Sequence, residues 1–89
     1  MKWSRTMKWG MSGKDVDMVH LWLSQIFEYW GDKYPVPGGG LYSYSTKKAV
    51  EHYQRRVYIP VSGEVDKKTW EMMDYSMTCY NTYYGQQYQ

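Results

Sequence analysis

The sequence predicts an all-α fold, a compact bundle of three helices joined by short capped turns, and two observations carry that prediction. The first is a device used twice. Gly40-Leu41-Tyr42-Ser43-Tyr44-Ser45-Thr46 returns as Gly63-Glu64-Val65-Asp66-Lys67-Lys68-Thr69, and both copies run into helical spacing. In each copy the Gly suits the positive φ of a tight turn, and an apolar residue (Tyr42, Val65) can point inward. Ser43 or Asp66 can then cap the helix, with the Thr three places later closing the cap. The second observation is the recurrence of Val16, Val19, Leu23, Ile26 and Phe27 at helical spacing ahead of both copies.

Taken in order, residues 1–11 form an apolar arm with Met1, Trp3, Met7, Trp9 and Met11 at alternating positions, as in an extended strand or lid. Met7 and Trp9 are expected to cover the core beside the first helix. Ser12 with Asp15 offers a capping-box-like start, and the first helix is placed at about 15–29. Its apolar stripe, widened by Met18, Leu21 and Trp22, is too broad for a free surface, so part of it should meet the arm or a partner. His20 is expected to hydrogen-bond a nearby loop backbone. Gly31 ends the helix, and residues 32–40 form a loop with Pro35, Pro37 and three consecutive glycines, mobile or sharply turned. Neither a phosphate loop nor a dinucleotide fingerprint fits its spacing.

The second helix is placed at about 44–57, with Ala49, Val50, Tyr53 and Val57 inward, and small Ala49 suits a close helix crossing. After the connector Ile59-Pro60-Val61 and the turn Ser62-Gly63, a third helix is placed at about 67–76, with Trp70, Met73 and Met77 on one face. The helical domain is thus drawn as residues 12–77. Val16, Val19, Leu23, Ala49, Val50, Tyr53, Val65, Trp70 and Met73 are expected to share one core. Residues 78–89, rich in Tyr, Gln and Asn, show no helical stripe and are read either as a flexible tail that can order on a partner or as a frayed terminus.

Eighty-nine residues allow one domain with a modest core. Aromatics make up 19% of the chain, with eleven Tyr and five Trp against one Phe, so the excess lies in rings with a hydrogen-bonding edge. Such rings favour interfaces and wet pockets, which points to interaction rather than catalysis. A net charge of +2, spread over scattered lysine and arginine pairs, does not make a nucleic-acid face. Cys79 is alone and permits no intrachain disulfide. No run approaches membrane-spanning length and the first residues lack the apolar stretch of a secretory signal, so synthesis in the cytoplasm is expected.

The two glycine turns, followed by Ala49-Val50 and Tyr53-Gln54 and by Trp70 and Met73, resemble the small helical peptidoglycan-binding domain found beside cell-wall hydrolases. Its first block corresponds to Gly10, Gly13, Val16, Val19, His20 and Leu23. The second corresponds to Gly40, Tyr42, Thr46, Ala49, Val50, Tyr53 and Gln54, and the third to Val61, Gly63, Val65, Thr69, Trp70 and Met73. The resemblance spans about residues 7–74. It departs where the family's two Asp-Gly pairs read Gly39-Gly40 and Ser62-Gly63, and where Ser43 and Asp66 replace a Gly.

The resemblance implies a noncatalytic module that binds peptidoglycan, through its glycan or its stem peptide, and needs no cofactor. A phage origin would carry such a chain outside the cell, by lysis or within the virion. The alternative is a phage virion or complex subunit that keeps the fold and joins other virion or lysis proteins through its termini, a reading favoured by loss of the two Asp. The residues themselves supply no placed nucleophile, acid pair or metal-ligand spacing. A glycan groove needs rings for stacking and amides or hydroxyls for hydrogen bonds. Tyr42, Tyr44, Gln54 and Tyr58 are the candidates, with Tyr44 exposed at the first turn of its helix and Tyr42 at a position that is usually core.

Overall fold

The computed structural model describes residues 2–87 and contains three helices, α1 (Lys14–Trp30), α2 (Tyr44–Arg56) and α3 (Lys67–Gln87). Helix α1 is central and lies against both α3 and α2. Its apolar stripe is buried with Ala49, Val50 and Tyr53 of α2, with Trp70, Met73 and Met77 of α3, and with Tyr42 and Val65 from the two turns. All nine residues expected in one core are therefore in it. Trp22 extends the stripe sideways and meets Trp70, ring centroids 4.7 Å apart. Among the described residues no helix is long and apolar enough to cross a membrane.

The two turns cap their helices as the sequence predicts. Ser43 Oγ accepts from the Thr46 N–H at 3.2 Å while Thr46 Oγ1 accepts from the Ser43 N–H at 3.0 Å, a reciprocal capping box. Asp66 Oδ1 accepts from the Thr69 N–H at 2.9 Å. Their glycines are not equivalent. Gly63 adopts the expected left-handed φ of +74°, but in the first copy Gly39, at +82°, takes that role. Gly40 is required for space instead, since a Cβ there would lie 2.8 Å from the Gly13 carbonyl oxygen. This close approach lets the Gly13 N–H donate to the Gly40 carbonyl at 2.9 Å, tying the start of α1 to the entry of α2.

Three expectations are corrected. Helix α1 is capped by Gly13 without a side-chain bond, so no Ser12–Asp15 box forms. Asp15 is drawn instead to Arg5, whose Nε and Nη2 donate to it at 2.8 and 3.0 Å while Nη2 also reaches the Ser12 carbonyl. In the arm, Met7 is buried and exchanges two backbone hydrogen bonds with Val65, but Trp9 is 59% exposed. A turn closed by the Met11 N–H on the Lys8 carbonyl breaks the alternation and swings the indole outward.

The third correction concerns the C-terminal segment, where α3 continues through Tyr80 to Gln87 rather than ending near residue 76. Thr78 and Thr82 donate their hydroxyls to carbonyls four residues earlier, which keeps those groups satisfied within the helix. Tyr80 and Tyr83 pack on Tyr29 of α1, with centroids 6.3 and 5.2 Å away. Residues 88 and 89 of the expected tail, and Met1 of the arm, lie outside the described residues.

Candidate functional site

The loop between α1 and α2 is fixed at both ends, and that fixing creates the site. Gly31, left-handed at φ +78°, closes α1 and turns the chain toward α2. Asp32 then accepts from Arg56 Nε at 3.0 Å and lies 3.0 Å from His52 Nε2. Burial alone would raise the Asp32 pKa, but the His52 hydrogen bond and the Arg56 charge outweigh it and hold the carboxyl below its ordinary value. The Tyr34 ring stacks on His52, centroids 4.3 Å apart and 8° from parallel, while Phe27 meets the same imidazole edge-on. At the far end, His20 bonds the loop backbone as expected. Its Nδ1–H donates to the Gly39 carbonyl at 2.6 Å, which leaves Nε2 to accept from the Thr46 hydroxyl at 2.8 Å.

Between these anchors Pro35, Val36 and Pro37 stand as one wall of a groove of about 290 Å³, completed by Tyr34 and by Tyr44, Ser45 and Lys48 from the first turns of α2. The two prolines fix φ and present no N–H, so the wall is stiff and apolar. Tyr44 is 49% exposed and meets the Trp9 ring at 5.3 Å. The Lys47 ammonium sits 5.8 Å from the Trp9 centroid and 5.9 Å from that of Tyr44, and the Lys48 ammonium sits 5.4 Å from Tyr44. The surface therefore offers flat rings, a hydroxyl and positive charge, the chemistry that receives sugar faces and carboxylates.

Of the four residues singled out from the sequence, only Tyr44 reaches this groove. Tyr42 is fully buried and donates its hydroxyl to the Gly63 carbonyl at 2.5 Å, and burial raises its pKa. Gln54 is fully buried as well. Its amide nitrogen lies 2.9 Å from the Glu64 carbonyl, 3.1 Å from Thr69 Oγ1 and 3.2 Å from Ser62 Oγ, and its oxygen accepts from the N–H groups of Ser62 and Gly63 at 3.0 Å each. Tyr42 thus ties the second turn to the first and Gln54 ties it to α2, and both side chains are spent within the fold. Tyr58 is 95% exposed, but it lies past the opposite end of α2, about 20 Å from Tyr44 at 1.5 Å per helical residue. Trp9, Tyr34, Val36 and Lys48 were missed, although aromatics flanking a Pro-x-Pro loop were a usable signal.

A pre-formed ring-lined groove on a three-helix scaffold defines the class, a small all-helical binding domain. The family model of the peptidoglycan binding domain matches residues 12–73, and the chain belongs to that family. In fold it is similar to the crystal structure of the SleB N-terminal domain, with a TM-score of 0.69 and 24% identity over 81% of this chain and 92% of that one. It is also similar to a fused Zn-dependent amidase/peptidase/peptidoglycan-binding domain-containing protein from Clostridium acetobutylicum, with a TM-score of 0.67 and 26% identity. That match covers 78% of this chain and only 28% of the other. No curated protein matches the chain.

Proposed function

We propose that the chain binds peptidoglycan through the groove between the Tyr34–Pro37 loop and the first turns of α2, with Tyr44 as its central ring. The observation that carries this reading is the groove itself, stiff, mostly apolar and fixed by His20, His52 and Asp32, on a member of a wall-binding family. The chain acts by binding rather than hydrolysis. Two carboxylates on the elements that build the groove are committed to cations, Asp32 to Arg56 and His52, and Glu51 to Lys48 at 3.5 Å. A single small groove must desolvate sugar hydroxyls to bind them, so affinity per site is weak and several copies on one polymeric wall would bind through avidity.

A second reading, contacts with other proteins in a phage virion or another complex, draws on Tyr75 and Tyr83, which are 65% and 44% exposed on α3 beyond the family-matched segment. Co-sedimentation with purified sacculi separates the two. Under the first reading the full chain sediments above a control protein, Tyr44→Ala reduces the bound fraction, and Tyr75→Ala does not. Failure of the full chain to sediment overturns the wall-binding reading.

A further inference from the structure

Trp9 and Tyr44 form a ridge, and the groove lies on the Tyr44 side of it. On the Trp9 side is a second hollow of about 330 Å³, lined by Lys8, Trp9, Lys47, Ser62, Gly63 and Glu64. We propose that this hollow is a second subsite of the same surface, one that receives a peptide segment bearing both a carboxylate and an ammonium group. The proposal rests on the wall-binding reading above and names the peptide arm of the same polymer as the ligand of this half of the surface.

Three observations carry it. Among the described residues, no ion pair engages Lys8, Lys47 or Glu64, so all three charges that line the hollow are available to a ligand. Two unpaired cations and one unpaired anion around one concavity complement a ligand of mixed charge. A polyanion would satisfy the lysines but would bring like charge to Glu64, so the acid selects against it. The floor is also rigid, because the Ser62 and Gly63 N–H groups both donate to Gln54 Oε1 and the Ser62 hydroxyl is held by Gln54 and by the Glu64 N–H. Lys47 is pressed over that floor, since a Cβ on Gly63 would lie 2.8 Å from its Cγ, and its ammonium stands over both ridge rings. A sugar on Tyr44 would thus leave its peptide substituent only one ring pair away from the hollow.

The test is calorimetric titration of the full chain with three soluble probes: a chitin oligosaccharide without peptide, a disaccharide-tripeptide with a free diamino-acid side chain, and the same compound acetylated on that amine. The disaccharide-tripeptide should bind about three- to tenfold more tightly than the sugar alone, as expected for one or two exposed ion pairs. Lys8→Gln should narrow that ratio. Glu64→Gln should erase the preference for the free amine over the acetylated one, and polyglycerol phosphate should compete poorly with the wild type.

Equal affinity for sugar with and without peptide, or competition by polyglycerol phosphate as strong as by the peptide, overturns the subsite. If that occurs while the sugar still binds and Tyr44→Ala weakens it, the groove reading stands alone. Absence of binding by every probe overturns both. Thermal unfolding of each variant checks that it is folded, as the exposed position of Lys8 and the half-buried one of Glu64 lead us to expect.

Discussion

At the scale of single residues, the division of labour among the tyrosines decides where a ligand can bind. Tyr42 and Tyr53 are interior rings with one hydroxyl bond each, to Gly63 and to Ser76 at 2.8 Å, and burial pushes the Tyr53 pKa up to about 12. Tyr58 is exposed for a backbone reason. It follows the end of α2 with φ +60°, the left-handed cap conformation that glycine takes without strain. Tyr58→Gly should therefore stabilise the domain by about 1 kcal/mol in chemical denaturation and leave sacculus binding unchanged. A loss of binding would return Tyr58 to the site. Asp32 offers a test through pH. Its folded pKa lies below the ordinary Asp value, so its contribution is full above about pH 4 and is lost as pH falls through the lower folded value. Asp32→Asn should flatten the acid limb of the stability profile, and an unchanged limb would mean that the Arg56 and His52 contacts are not maintained in solution.

At the scale of elements, the repeated turn shows what was legible in the chain and what was not. Caps depend on a few adjacent residues, so Ser43-x-x-Thr46 and Asp66-x-x-Thr69 could be read directly, and so could the helical stripes that fill the core. Replacing Ser43 or Asp66 with Ala should cost about 0.5–2 kcal/mol, and replacement with Gly should cost only a few tenths. Equal losses for Ala and Gly at both positions would remove the capping account. The role of Gly40 was not legible, because its need for space comes from Gly13, a residue far away in sequence. The extension of α3 was missed for a related reason. Tyr80, Tyr83 and Tyr84 do stand at helical spacing, but the composition around them reads as disorder until Tyr29 of α1 supplies a partner.

At the scale of the whole molecule, the groove arises where the loop at Tyr34–Pro37 meets the start of α2, and the arm at Trp9 packs against Tyr44 on the groove's edge. Sequence reasoning placed Tyr44 there because a first-turn position outside the inward set is exposed whatever the tertiary arrangement. It misjudged Gln54 because a buried amide that satisfies Ser62, Gly63, Glu64 and Thr69 looks, in one dimension, like an available hydrogen-bonding group. The central claim is that this surface, and not α3, meets the wall. Backbone amide shifts of the full chain, recorded on titration with soluble peptidoglycan fragments, test it most directly. The account predicts perturbations at Lys8, Trp9, Tyr34, Val36 and residues 44–48; shifts confined to residues 75–85 of α3, or to the surroundings of Tyr58, would contradict it.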